Sequence, residues 1–546
     1  MKIYEWEIWH TYTSFVGTSD IDLEYLAHHL IESEMAYLTF HRDGLTVWRG
    51  DSGVGKGIST VTLGPDGRFG KFKLDPQEHA PNISDFAKEA WWQACYFRFG
   101  ELRLFGTEMP LPHSYVRAYL GQCDLVMDDQ PHPIRIYPTL VVYESGIIIV
   151  EFRTISPCDE ISHADFIDGA VNLFQLPFDQ IRVPPALSKL ATRAWYHSKS
   201  NWKFHQRAAM IFLERRHDLA VSQLTSVSEA GDFVFDLAPL GKSDDPETYE
   251  QLSSLALTIF HTLAFLMARP RKGWSFLFRG QQQIPEICRY WSGRPHIHLT
   301  KFQDQRDTAK ENEEAHGSVF GTLMLRSSCD DLSVARSHLP PDSRLFQDYS
   351  AYISSALSLW VWSLNGLRRQ EEWTDPNRGH LIYEHQAIVE LLEYGYMLHR
   401  ALLEQIKTLS QTDEVLVARQ GLMELEQEMA DSSHFGEIRD LLENGWKAMG
   451  LDAVKKRIRD SLEIMEAKTS MEESRVTGKI VRALTILFGL IAVPPIAEQV
   501  LKPLWKILEL PRPKTDDGFS ILLILLSFLL VALIVLLLLR NLDRNK

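Results

Sequence analysis

The residues with the clearest chemical reach in the body of the chain are two histidines. His296 and His298 lie two positions apart in the run RPHIHL and share one face of an expected strand. Imidazoles at that spacing can hold a metal ion. No clear third ligand accompanies them, so a hydrogen-bonded sheet face is the plainer reading. Gly50 to Gly57 reads GDSGVGKG, one residue short of the phosphate loop GxxxxGK[ST]. Gly57 stands where a hydroxyl would hold magnesium. A phosphate loop must also open a helix whose amides face the anion, whereas ISTVTLGPDG is β-branched and strand-like. A glycine-rich hairpin turn is expected there. No GxSxG, HExxH, Walker pair or Cys–His arrangement stands out, and no enzyme is expected.

A second set lies near the C-terminus. Thr485, Gly489 and Ala492 follow at spacings of four and three, which puts them on one helix face. Small residues let helices approach closely, and in a ring of helices the same face could line a narrow pore. Leu484, Leu487 and Ile491 occupy another face and suit lipid or a second helix. Glu498 is the remaining candidate. Facing an axis it would form a ring of carboxylates, a device for cation selection. Otherwise it is an interfacial residue beside Lys502.

These positions need membrane helices to carry them. Gly518 to Leu539 contains no charge and is long enough to cross a bilayer. Asp516 and Asp517 fence one end, and Arg540, Asp543, Arg544 and Lys546 the other. Between Arg482 and Glu498 lie fifteen uncharged residues. That is short for a span, and it crosses if Glu498 and Lys502 snorkel at the far interface. Pro494 and Pro495 are expected to kink or end this helix. The expected parts are a first membrane helix at 483–501, an outer loop at 502–517, a second membrane helix at 518–539 and a tail at 540–546.

The preceding chain reads as an α+β protein with a mixed α/β body and a helical stalk. Residues 1–110 form an α+β unit. MKIYEWEIWHTYT alternates like a strand, a helix opens at Asp20 or Asp22, three strand-like runs follow, and Asp85 to Trp92 is helical. Residues 111–345 form a mixed α/β body. It has a hairpin around Ser145-Gly146, a break at Pro184-Pro185, an apolar helix before Pro270 and a polar run from Asp304 to His316. Residues 346–450 read as an acidic helical region that includes ISSALSLWVWSLNGLRRQ and is broken at Thr374-Asp375-Pro376. Residues 451–482 form the stalk, whose Leu451, Val454, Ile458, Leu462 and Met465 make a coiled-coil-like seam.

Charge and cysteine use narrow the class. The formal charge is −15; from Lys479 onward nine basic residues face five acidic ones, net +4, which leaves −19 for the rest. A body this acidic argues against nucleic acid and would tolerate cations. The five cysteines show no CxxC pair and read as reduced thiols. MKIYEWEIWH is too polar for a signal peptide. The expected location is the cell membrane, multi-pass, with both termini cytoplasmic. Arg475, Lys479, Arg482 and the basic tail fit the positive-inside tendency.

This layout resembles the CorA-type magnesium transporter superfamily. The resemblance rests on a cytoplasmic α/β body, acidic helices, a stalk running into a first membrane helix, a short outer loop and a second membrane helix near the C-terminus. It covers the last 170 or so residues well. It implies a homo-oligomer, a pentamer in that family, with first membrane helices lining the pore and divalent cations at acidic interfaces. The family's Gly-Met-Asn triplet has no counterpart in Ala497-Glu498-Gln499-Val500-Leu501-Lys502, so magnesium selectivity does not follow. No resident cofactor is expected; divalent cations are possible as ligand or cargo, and an unidentified small ligand is possible. The expected function is an oligomeric channel or transporter for cations. A ligand-gated, membrane-perturbing effector of defence type and a tail-anchored scaffold stand as alternatives.

Overall fold

The protein is described from a computed structural model. It describes Met1–Lys546 apart from residues 18–20, 65–69, 108, 128–131, 156–159, 199–225, 231–232, 240–250, 268–286, 328, 330, 345, 373–380, 410, 509–510, 512–515 and 545–546. At some helix and strand positions, Thr485 among them, only the backbone is described. The break expected at Thr374-Asp375-Pro376 and much of the outer loop lie outside the described residues. The chain divides into two compact units. One comprises Met1–Gln405 with Gln420–Ile458, the other Ile406–Arg419 with Arg459–Lys546.

The first unit is built on a large sheet, mixed with helices as expected. Its strands are β1 (Lys2–Val16), β2 (Ala36–His41), β3 (Leu45–Gly50), β4 (Gly53–Leu63), β5 (Gly70–Pro76), β6 (Tyr115–Leu120), β7 (Cys123–Val126), β8 (Ile134–Tyr143), β9 (Ile147–Ile155), β10 (Ile161–Ser162), β11 (Gln180–Val183), β12 (Ser226–Ala230), β13 (Phe233–Pro239), β14 (Ile287–Phe302), β15 (Tyr349–Ile353) and β16 (Ser358–Trp362). The main path runs β15-β16-β14-β1-β9-β8-β6-β2-β3-β4-β5. β1 pairs antiparallel with β14 on one side and β9 on the other. The β14–β16 pair is parallel.

Several local signals act as their residues dictate. Asp22 caps the Leu23–Glu32 helix and accepts from the Tyr25 amide at 2.9 Å. GDSGVGKG is the β3–β4 hairpin, with Gly50 paired to Gly53. The Trp48 ring lies over Gly55, where a Cβ would come within 2.2 Å of it. Gly146 takes φ 87° in the β8–β9 turn. The polar run from Asp304, which reads as a solvated loop or an exposed helix, leads into a helix, Ala309–Leu325, through a Thr308–Glu311 capping box.

Two departures from the sequence reading concern strands. β2 lies within a run that carries no clear alternation. Tyr349–Ile353 and Ser358–Trp362, expected to be helical, are β15 and β16, and every one of their residues is buried. A strand covered on both faces loses its alternating pattern and reads as a continuous apolar run.

The two faces of the sheet differ. One presents Tyr12, Val116, Ala118, Leu140, Val142, Ile148, Val150 and Phe152, which pack with the Leu23–Glu32 and Leu252–Met267 helices in an apolar core. Period-two alternation sends Trp9, Arg117, Tyr119, Glu151, Arg153, His296 and His298 to the other face. That face meets the Leu381–Ile406 helix, whose Glu390 and Glu393 bond to Arg117 and Arg294.

The stalk helix runs from Leu451 to Ile496 and includes both prolines; its residues to Ile458 belong to the first unit and those from Arg459 to the second. The stalk seam is buried at Leu451, Val454, Ile458 and Leu462. Arg419 of the Thr412–Ala430 helix meets Glu466 at 2.8 Å, and Thr412 meets Thr469 at 3.3 Å. The α-helix ends at Ile496, one residue after Pro495, without opening a loop. A π-helical turn, Ala497–Leu501, follows directly, then a short helix, Lys502–Ile507. One residue of extra winding is a common way to absorb a broken hydrogen-bond ladder. The terminal helix spans Asp516–Arg544.

Candidate functional site

Two places collect the residues with chemical potential. The first is the buried polar layer under the Leu381–Ile406 helix. Arg117 is ion-paired with Glu390, and Arg294 with Glu393. All four side chains are at most 2% exposed. Arg153 reaches Glu7 through Nη2 at 2.8 Å, and Arg103 reaches Glu384 at 2.6 Å. Gln386 donates through Nε2 to Glu151 at 2.8 Å and to Glu390 at 3.1 Å, so one amide bridges two carboxyl groups. Burial, with Glu390 beside it, holds the Glu151 carboxyl well above the usual range. Burial also raises Glu390, against the pull of Arg117. Burial opposes ionisation of Glu393 too, but Arg294 and His296 outweigh it and hold that carboxyl down.

The histidine pair belongs to this layer. His296 Nδ1 and Ser358 Oγ are 2.7 Å apart, and Trp360 Nε1 donates to the same hydroxyl at 2.9 Å. His296 Nε2 lies 3.6 Å from Glu393. Ser, His and Glu at such distances share the residue types of a nucleophilic triad. Ser358 is only 2% exposed, however, and its hydroxyl is engaged on two sides. It serves to orient the imidazole. The His298 ring stacks with Trp360 and His385 at centroid distances of 5.9 and 5.6 Å. Among the described residues no group of three or more His, Cys, Asp and Glu is placed to hold a metal ion.

These buried imidazoles make a pH prediction. Burial lowers His298 and His385 well below 6.5, His10 to about 3 and His399 to about 4. The unfolded chain takes up those protons near pH ~6.5, the fold only much lower. Stability from these groups is complete above that pH and is lost as pH falls toward about 4, by about 1.4 kcal/mol per pH unit for each histidine. Glu151 and Glu390 act in the opposite sense. Held high in the fold, they disfavour it as pH rises past the ordinary carboxylate range. Thermal midpoints of the full chain should fall between about pH 6.5 and 4. His399→Gln should flatten that slope by about one proton; an unchanged slope would remove His399 from the account.

A cavity of about 350 Å³ opens beside the layer. Trp9, Tyr119, Tyr137, Glu151 and Arg153 of the sheet line it, with Glu89 and Gln93 of the Asp85–Phe105 helix and Tyr383 and Gln386 of the Leu381–Ile406 helix. The signals for this place were charged residues at alternate positions of otherwise apolar strands, and Gln386, Glu390 and Glu393 at spacings of four and three.

The second place is the C-terminal helix pair. Among the described residues two segments are long and apolar enough to cross a membrane, Ile486–Ile507 and Asp517–Leu536. The first lies a few residues C-terminal of 483–501, because a π turn and a short helix follow the prolines without a break. Gly489 faces the terminal helix: a Cβ there would stand 2.8 Å from Val535 Cγ2 and 3.1 Å from Val531 Cγ1. Where the sequence reading turns Gly489 toward a pore axis, the structure fills its open side from within the chain. Ala492 is half-buried, and Val493 and Ala497 are buried. Ala497 packs with Phe519 and Leu523. For Thr485 only the backbone is described. Leu484, Leu487, Phe488 and Ile491 are exposed, as is Glu498 in the π turn. Apolar side chains exposed in such density fit a lipid or protein environment. Comparison with family models, with curated proteins and with solved structures found no match.

Proposed function

We propose that this protein is an oligomeric membrane channel or transporter for cations, with its pore built from copies of the first membrane helix. One observation carries the reading. The helix that begins at Leu451 is 46 residues long and itself becomes the first apolar segment, with a second apolar helix close behind. In this reading the body lies on the cytoplasmic side of the cell membrane. Gly489 and Ala492 seat the terminal helix, and the exposed face of the first helix turns to the axis. Glu498 supplies a carboxylate ring near one mouth. Pro494 and Pro495 leave the carbonyls of Leu490 and Ile491 without their usual donors, two further acceptors for a cation. A CorA-like five-fold ring, with divalent cations as cargo or as ligands of the acidic body, belongs to the same reading.

Flux through liposomes reconstituted with the full chain tests it. Cations should pass in preference to anions, and Glu498→Gln should lower cation flux several-fold. Equal passage of both signs, or no effect of that substitution, would contradict a cation path. The cavity in the body favours a second reading, a ligand-gated membrane-perturbing effector, for which flux would begin only when a small molecule is added.

A further inference from the structure

The cavity beside the polar layer has a chemistry of its own. It carries two carboxyl groups, Glu89 and Glu151, and one guanidinium, Arg153. That guanidinium is already engaged by Glu7 at 2.8 Å, so it is poorly placed to receive a guest's anion. Glu151 is 2% exposed; its Oε2 accepts from Gln386, and its carboxyl shares a hydrogen bond with the Glu390 carboxyl. Two carboxyl groups side by side with one guanidinium, Arg117, paired to Glu390 leave room for a second cation. Around it stand Trp9, Tyr119, Tyr137 and Tyr383, which offer aromatic surface. The volume is at the small end of the range for ligand sites, roughly 300–1,000 Å³.

We propose that this cavity binds a small organic cation that carries N–H donors on an apolar or aromatic body, such as an amine or amidine. The N–H group bonds to the Glu151 carboxylate in place of that group's hydrogen bond with Glu390, and an amidinium, with two parallel donors, suits a carboxylate best. The body of the guest packs among Tyr137, Tyr383 and Trp9. Glu89, at the exposed edge, draws cations in from solvent.

Binding then moves a proton. Glu151 is surrounded by Glu390 and Gln386 from the Leu381–Ile406 helix, Arg117 from β6 and Arg153 from β9, the last tied to Glu7 of β1. Glu89 and Gln93 come from the Asp85–Phe105 helix and Tyr137 from β8. Burial, and after it Glu390, hold the carboxyl well above its usual range while the cavity is empty. The arriving cation takes its place beside the carboxylate, and the proton leaves to solvent. Affinity therefore rises with pH, by up to about tenfold per unit while Glu151 is protonated in the empty site.

Calorimetry of the full chain in detergent micelles, with benzamidine as probe and neutral benzamide as its isostere, tests this. Benzamidine should bind, release up to one proton as read in buffers of different ionisation enthalpy, and bind more tightly at about pH 8 than at about pH 6. Benzamide should bind at least about tenfold more weakly. E151Q should abolish the preference. Y137A and E89Q, at partly exposed positions with little risk to folding, should each weaken benzamidine several-fold. Equal binding of the two probes, undiminished benzamidine binding by E151Q, or no heat with benzamidine at millimolar concentration would overturn the proposal. Binding is read whether or not the membrane helices conduct, so this outcome and that of the flux test are separate.

Discussion

Arg117→Met should destabilise the body by about 3–5 kcal/mol, the largest effect expected of any single substitution in the polar layer. Arg117 is 1% exposed, paired with Glu390, and lies 3.6 Å from the centroid of the Phe97 ring. Methionine keeps much of the bulk and apolar contact but removes the charge. Glu390 and Glu151 are then left with Gln386 as their shared donor. Protonation of both carboxyls limits the loss, so the effect should shrink at lower pH and grow at higher pH. Arg117→Met combined with Glu390→Leu should recover part of it, because replacing a buried pair by apolar residues is often close to neutral. The readout is the thermal midpoint of the full chain; a chain of two units need not melt in one step, so the shift is compared and not converted. Lys301→Met is the contrast. Its pair with Glu5 is about half exposed on both sides, at 45% and 48%, and its loss should cost less than about 1 kcal/mol. Equal shifts for the two variants would contradict the importance assigned to the buried layer.

Gly489→Ile should separate the two apolar C-terminal helices. Even a methyl group at this position would stand 2.8 Å from Val535 Cγ2. An isoleucine cannot be accommodated without moving one helix, and overpacking of this kind costs about 1–3 kcal/mol or more. The expected result is a loss of ordered assembly in detergent and altered flux in liposomes. Val535→Ala with Val531→Ala should restore much of both by making room. Leu487→Ile, on the exposed face of the same helix, should leave the helix pair intact. If Gly489→Ile behaves like Leu487→Ile, the close approach of the two helices is not a feature of the protein in lipid.

Much of this was legible in the sequence because it depends on local signals. The Asp22 cap, the glycine turn before Gly57 and the apolar run after Gly518 all announce themselves within a few residues. The two histidines were read as a sheet face, and His296 bonded to Ser358 lies on one. The polar layer was not legible. Its residues come from β1, β6, β9, β14 and β16 and from a helix more than two hundred residues beyond Glu151, and no local pattern joins Arg117 to Glu390. Pairing of β14 with β16 hid two strands among residues read as helix, since burial on both faces erases the alternation. The direction of Gly489 was hidden for a similar reason. A face of small residues shows that something comes close, and only the partner, here Val531 and Val535, shows what it is.

The central claim is that copies of the first membrane helix surround a common axis. Imaging of the full chain in lipid nanodiscs, at a resolution that separates helices, tests it most directly. The account predicts a symmetric ring with the Ile486–Ile507 segments innermost, the terminal helices outside them against Gly489, and Glu498 toward the axis. A monomer or simple dimer, or a ring with the terminal helices innermost, would contradict it.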